Sequence, residues 1–169
     1  LLITEVATVD GINLAVTDLS IENATTINAR LPNNTNIEQL NADGAITLVS
    51  NALTINQITA GDTLDITSLA TAGALRFESN TSTDNTNIRA KNFIFRGDST
   101  GLAQNVLNLR TEVESIQLFD VRDADGTTIA NAGDLTILGI SGTNDGITIS
   151  TTGSLTVAGP VGTLRDNVD

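Results

Sequence analysis

Short triplets, in which two aliphatic residues flank one polar residue, recur along the chain and constrain its fold more than any other feature. Ile46-Thr47-Leu48 is typical, and Gly, Asn, Asp or Ser residues separate each triplet from the next. Alternation with a period of two places both aliphatic side chains on one face of a β-strand. Because the separators are typical of tight turns, the chain is predicted to be all-β, with very short strands.

Strands this short are marginal as isolated hairpins, but they are stable when each one stacks on an equivalent strand one coil away. We therefore predict a right-handed parallel β-helix, or β-solenoid, with about 20 residues per coil and an aliphatic core. In the stretch 133–159, the threonines Thr136, Thr148 and Thr156 are expected to point outward. The residues expected to point inward are Leu135, Ile137, Ile147, Ile149, Leu155 and Val157.

A longer internal repeat is also visible, since much of residues 51–67 recurs at 134–150, an offset of about 82 residues. We predict a single β-helix segment over 1–169, with two tandem units of about 80 residues at approximately 12–87 and 88–169. Since the chain begins in mid-pattern without Met, we expect it to be a fragment of a longer chain.

One stretch carries a competing signal. Leu102, Val106, Leu109, Val113 and Ile116 recur at spacings of four and three, which is typical of one face of a helix. The corresponding stretch of the first unit contains a proline, which a helix interior does not tolerate. We favour strands over 102–116, with the helix as the alternative.

Composition excludes several classes of function. With 20 acidic and 8 basic residues the net charge is −12, which opposes binding to nucleic acid or anionic membranes. The absence of His and Cys excludes catalysis by imidazole or thiol groups and zinc sites built from them. We predict no nucleic-acid partner, no membrane span in this segment, no enzymatic activity and no resident cofactor.

Two phrases, Asn-Ala-Gly-Asp-Leu-Thr-Ile at 131–137 and Gly-Ser-Leu-Thr-Val-Ala-Gly at 153–159, resemble the repeat region of bacterial filamentous-haemagglutinin-like large exoproteins. The resemblance is clearest over roughly 105–162 and fainter over 12–75. It implies a right-handed parallel β-helix, export across the outer membrane and a rod that displays adhesive parts at the cell surface. The expected function is a structural rod segment of a secreted or cell-surface bacterial adhesin, with a host receptor or glycan as partner.

Two alternatives belong to other classes. One is a self-assembling extracellular filament or matrix protein, because the exposed ends of a β-helix are strand edges that favour end-to-end association. The other is a polysaccharide lyase or hydrolase, for which Arg89 and Lys91, with a pair of acids, are the candidates. The acid pairs considered are Asp62 with Asp65 and Asp123 with Asp125.

Three groups of residues are candidate binding sites. Arg96, Gly97 and Asp98 form the Arg-Gly-Asp tripeptide that integrins recognise, in an insertion of the second unit that we expect to be a protruding loop. Asp120, Asp123 and Asp125 supply oxygen ligands suited to calcium, although a solvated turn is the better explanation of them. A local basic strip for acidic glycans, or ordinary ion pairs, would account for Arg76, Arg89, Lys91, Arg96 and Arg110.

Overall fold

The computed structural model describes residues 1–4, 8–13, 15, 17–68, 75–77, 86–97, 108–121, 127–143 and 146–163. These residues form parallel β-strands and no helix, and the strands wind into about six stacked coils about 20 residues apart. The predicted β-solenoid is confirmed. Its strands are β1 (Leu2–Thr4), β2 (Thr8–Asn13), β3 (Asp18–Ala24), β4 (Thr26–Ala42), β5 (Ile46–Ala60), β6 (Thr63–Ser68), β7 (Leu75–Phe77), β8 (Ile88–Arg96), β9 (Asn108–Phe119), β10 (Thr127–Asn131), β11 (Leu135–Thr143), β12 (Ile147–Thr151), β13 (Leu155–Val157) and β14 (Val161–Thr163).

Each coil contributes to two columns of paired residues, here named ladder 1 and ladder 2. In both columns, neighbouring coils pair in parallel and in register, so that one inward position stacks on the next. Ladder 1 runs through Ile27, Ile46, Leu64, Phe93, Ile116, Ile137 and Val157. Ladder 2 runs through Ile3, Ile21, Leu40, Ile58, Ile88, Thr111, Asn131 and Thr151.

The core lies between the two ladders and follows the alternation of the sequence. Along β6, every second side chain is buried, and Leu64 and Ile66 face the core. The same rule buries the two largest core side chains, Phe93 and Phe95, which fill the middle of the stack in a core otherwise made of Leu, Ile, Val and Ala. Period-two burial thus reproduces the predicted aliphatic core and adds two aromatic residues to it.

The opening triplets of the C-terminal stretch behave as expected. Leu135 and Ile137 are fully buried, whereas Thr136 is half-buried. On the next strand, β12, Ile147 and Ile149 pack against the core, and the remaining two threonines of the set are exposed. No threonine of these three triplets enters the core, which agrees with the outward orientation predicted for them.

The last described coil is different, because its inward-facing positions are uncovered. Leu155 and Val157 pair in register with buried ladder 1 residues, yet they are 45% and 58% exposed. In the described part of the chain no further strand lies over them. Their exposure therefore reflects their place at the end of the described stack and not an outward orientation.

Glycines at the corners allow the coils to approach each other. The Gly61 amide donates a 2.9 Å hydrogen bond to the Ala42 carbonyl of the preceding coil. A Cβ atom at Gly61 would lie 1.9 Å from the Asp43 carbonyl oxygen, which is closer than any real contact. Only glycine fits at this corner, because the strand spacing of about 4.8 Å leaves no room for a side chain between stacked turns.

Residues 108–116 form part of β9, so the described portion of the ambiguous stretch is a strand, as favoured. Leu109, Thr111 and Val113 are buried in alternation with outward residues, which is incompatible with a helical face. Residues 102–107 lie outside the described residues. The division into two tandem units stays a prediction.

A substitution in the middle of ladder 1 tests the stacked core. Phe93→Ala is expected to lower the free energy of unfolding by about 3–5 kcal/mol, because it opens a cavity between the coils above and below. Urea denaturation followed by circular dichroism measures this loss. The control is Ile94→Ala, at the half-buried outward neighbour on the same strand, which should cost about 1 kcal/mol or less. Equal losses for the two variants would contradict the assigned register.

Candidate binding groove

Two adjoining hollows on the outer surface of the solenoid form a depression among the described residues. The larger has a volume of about 630 Å³ and the smaller about 290 Å³, and Ala132 lines both. Together they are named the groove. It lies across the outer face of ladder 2 where that ladder meets the corner after β10.

The groove exists because the outward side chains of one coil are smaller than those of its neighbours. Ala130 on β10 pairs with Arg110 on one side and with Ser150 on the other. Ala130 and Ala132 are exposed and form the floor, and Gly133 continues it into the corner with a φ of +93°. The walls on either side of this floor are carried by β9 and β12. Since parallel strands lie about 4.8 Å apart, the backbones of these two strands are about 9–10 Å apart.

Charged side chains of both signs line the larger hollow. Arg89 Nε donates a 2.9 Å hydrogen bond to Glu112 Oε2 across the β8–β9 pair. Lys91 and Glu114 follow on the same outer face, and both side chains are exposed. Asp134 stands at the corner, where its Oδ1 atom accepts a 2.7 Å hydrogen bond from the Ser154 amide.

A buried amide lies directly beneath the groove floor and fixes both of its edges. Asn131 Oδ1 accepts hydrogen bonds from Thr111 Oγ1 at 2.8 Å and from the Val113 amide at 3.0 Å. Its Nδ2 atom donates to the carbonyls of Val113 at 3.2 Å and Asp134 at 3.1 Å. The side chain therefore ties the strand that carries Glu112 and Glu114 to the corner that carries Asp134.

Arg96 and Gly97, the two described residues of the tripeptide, are not among the residues that line this groove. Arg96 is the last residue of β8, and its Nη2 atom pairs with Asp65 Oδ2 at 3.1 Å while its guanidinium lies 5.2 Å from the Phe119 ring centre. The Gly97 amide donates to the Phe119 carbonyl at 2.8 Å. Asp98 lies outside the described residues. Arg96 thus belongs to the outer face of ladder 1, and use of the tripeptide as a ligand stays a prediction.

The calcium hypothesis rests mainly on residues that the structure does not describe. Asp120 has a φ of +48° and directly follows the strand β9, whereas Asp123 and Asp125 lie outside the described residues. Within the described ranges, no cluster of acidic side chains has the arrangement of a metal site. Calcium binding at these positions stays a prediction.

The proposed acid pair Asp62 and Asp65 occupies two different settings. Asp62 is exposed at a corner, where its carbonyl accepts a 2.8 Å hydrogen bond from the Lys91 amide. Asp65 faces outward from β6 and is paired with Arg96. Its Oδ1 atom is buried and has no partner. The Asp65 side chain is therefore held in an ion pair on the outer face of ladder 1 and does not point toward the groove.

The basic residues singled out from the sequence lie in three places. Arg89, Lys91 and Arg110 line the groove, Arg96 lies on ladder 1, and Arg76 is on β7. Sequence reasoning missed the carboxylates Glu112, Glu114 and Asp134 that share the groove with them. The alternating phrase Arg-Thr-Glu-Val-Glu at 110–114 carries the signal, because a period of two puts its three charged residues on one face.

No protein-family model, curated protein or solved structure matches this chain. Among the described residues, no helix has the length and apolar character needed to cross a membrane.

The buried amide provides a test of how the groove is held. Asn131→Leu keeps a similar volume but leaves the Thr111 hydroxyl and the Val113 amide without their acceptor, so the free energy of unfolding should fall by about 2–5 kcal/mol. Urea denaturation measures the change. The matched control is Asn108→Leu, at an exposed position of β9, which should change stability by about 0.5 kcal/mol or less. A neutral effect of Asn131→Leu would show that the network is dispensable.

Proposed function

We propose that this chain is a structural rod segment of a secreted or cell-surface bacterial adhesin. The observation that carries the proposal is the uninterrupted parallel stacking of ladder 1 from Ile27 to Val157. Every coil adds the same hydrogen-bonded pairing and buried aliphatic area, and about six coils extend the rod by about 30 Å. Such a scaffold needs no chemistry of its own, and the proposal assigns no catalytic step to it.

The polar character of the outer surface supports a role outside the cell. Outward positions of the triplets carry Thr, Asn, Asp and Ser, and the net charge of −12 keeps neighbouring rods apart in solution. The phrases at 131–137 and 153–159, which resemble repeats of large bacterial exoproteins, lie on consecutive coils at the same corner. A receptor and an export route are not part of the proposal.

Labelling of intact cells tests the adhesin role. Antibodies raised against the 169-residue chain should label the surface of intact cells of the source organism, and an antibody against a cytosolic protein controls for leakage. Immunogold microscopy locates the label. Signal that appears only after the cells are permeabilised would contradict the proposal.

A second candidate, the self-assembling extracellular filament, is favoured by one observation at the last described coil. Leu155, Val157 and Val161 are 45%, 58% and 43% exposed, although each pairs in register with a core residue of β11. In the part of the chain that the structure describes, β13 and β14 pair only with β11. An apolar surface bordered by such a strand edge favours association with another strand. Stacking of one copy on the end of another is a head-to-tail contact, which produces open filaments.

Paired lysine substitutions on β13 test this candidate. Leu155→Lys places a charge on the uncovered core surface and should shift oligomers of the 169-residue chain to monomers, whereas Thr156→Lys adds the same charge on the outward face and should not. Size-exclusion chromatography with light scattering measures the mass. If the parent chain is monomeric at about 100 μM, or both variants behave alike, the filament candidate is wrong.

A further inference from the structure

The charges of the groove differ from those of the whole chain. Three of the eight basic residues, Arg89, Lys91 and Arg110, line it. Three carboxylates, those of Glu112, Glu114 and Asp134, line the same hollows. The described side chains that line the groove therefore sum to no formal net charge, on a chain whose net charge is −12.

This balance selects against charged ligands. An anionic ligand placed near the basic side chains also meets three carboxylates, and a cationic ligand meets three basic groups at similar range. The acidic field of the remaining chain further disfavours anions. An uncharged ligand avoids both penalties and can still hydrogen-bond to every one of these groups.

The groove offers many donors and acceptors to such a ligand. Arg110 and Lys91 donate, Glu112 and Glu114 accept, and hydroxyls such as that of Thr152 do both. Glu112 is held by Arg89 at 2.9 Å. Asp134 is held by the Ser154 amide at 2.7 Å. Groups that are already fixed lose little freedom on binding, and carboxylates and guanidinium groups suit paired hydroxyls.

The shape of the groove requires a linear ligand that does not depend on backbone pairing. Along Ala130 its floor follows β10 between β9 and β12, whose backbones are about 9–10 Å apart. Past Ala132 the larger hollow continues across β9 and β8 to Gly61, so the groove is elongated and an extended chain fits along it. An extended peptide normally gains affinity by adding a strand to a sheet edge. Ala130 is paired on both sides, with Arg110 and with Ser150, and so offers no free edge.

We propose that the groove binds a neutral linear glycan along the Ala130–Ala132 floor. Sugar hydroxyls bridge the charged wall of β8 and β9 and the hydroxyl wall of β12. No aromatic side chain lines either hollow among the described residues, so sugar rings do not stack. Affinity for one short oligosaccharide is therefore low, with a Kd of about 1 mM. The biological meaning of the site rests on the proposed adhesin function, although the binding itself does not.

Amide chemical-shift mapping of the isotopically labelled 169-residue chain tests the site. The neutral probes are cellohexaose, xylohexaose and mannohexaose. Hexagalacturonate, a chitosan hexamer and a Ser/Thr-rich decapeptide represent an anion, a cation and a peptide. At least one neutral hexasaccharide is expected to saturate, with shifts confined to residues that line the two hollows, and to bind at least about tenfold more tightly than the other three probes.

Substitution of the floor provides the decisive comparison. Ala130→Leu fills the groove at an exposed strand position and should weaken binding by about tenfold. Ala158→Leu makes the same change at an exposed position outside both hollows and should change the Kd by less than about twofold. Lys91→Gln and Glu114→Gln should each weaken binding by about three- to tenfold. Thermal melts of all four variants verify that they fold.

Three results would each overturn the proposal. They are the absence of saturation by any neutral probe at about 20 mM, tighter binding of the anion, the cation or the peptide, and an Ala130→Leu variant that binds as the parent does. Failure here is distinguishable from failure of the adhesin function. Glycan binding by a chain that is found inside the cell overturns only the adhesin role, and a surface-exposed chain without binding overturns only the site.

Discussion

Parallel pairing of each coil with the next, in register, is the constraint on which the rest of the structure depends. It stacks like positions on like positions, as in the run Ile46, Leu64 and Phe93 of ladder 1. An inward side chain on one coil therefore has a fixed neighbour above and below, and contacts between neighbouring coils make the core continuous. Stability in such an array is close to a sum of coils and of the interfaces between them.

The corners satisfy the same constraint in two different ways. At Gly61 the stacked turns approach so closely that a side chain is excluded, and the amide bonds directly to the coil below. At the corner after β10 a side chain replaces part of this backbone pairing. Asn131 takes an inward ladder 2 position that Ile58 and Ile88 fill on earlier coils, and its amide bonds to backbone groups on two coils. A polar residue is stable there because both ends of its amide are satisfied.

The strands were predictable from the sequence because period-two alternation is local, but register was not. The triplet Leu53-Thr54-Ile55 lies in the part of β5 that leads to the ladder 2 residue Ile58, and Ile55 pairs there with Ile37 of the preceding coil. Its sequence counterpart Leu135-Thr136-Ile137 belongs to ladder 1. The same triplet sequence fits either ladder, because both ladders require only that alternate side chains be buried. Similarity between two triplets therefore does not show which ladder each strand joins.

The buried polar residues were missed for a related reason. In a sequence, Asn131 followed by Ala-Gly-Asp has the composition of a solvated turn, and nothing local shows that Thr111 stands one coil below it. The groove is hidden in the same way. Ala130 on β10 and Ala132 at the corner after it form a floor only because the neighbouring coils carry larger residues, and those coils are 20 positions away in each direction.

The inward positions that stabilise this chain therefore repeat every two residues, whereas the outward positions that form its surface are related by intervals of one coil. Inward positions repeat every two residues and must stay aliphatic or fully hydrogen-bonded, which leaves them little freedom. Outward positions meet only their neighbours one coil away, so Arg110, Ala130 and Ser150 can differ without disturbing the ladder that aligns them. A solenoid can acquire a binding surface by changing three such residues at intervals of one coil, while the backbone that presents them stays the same.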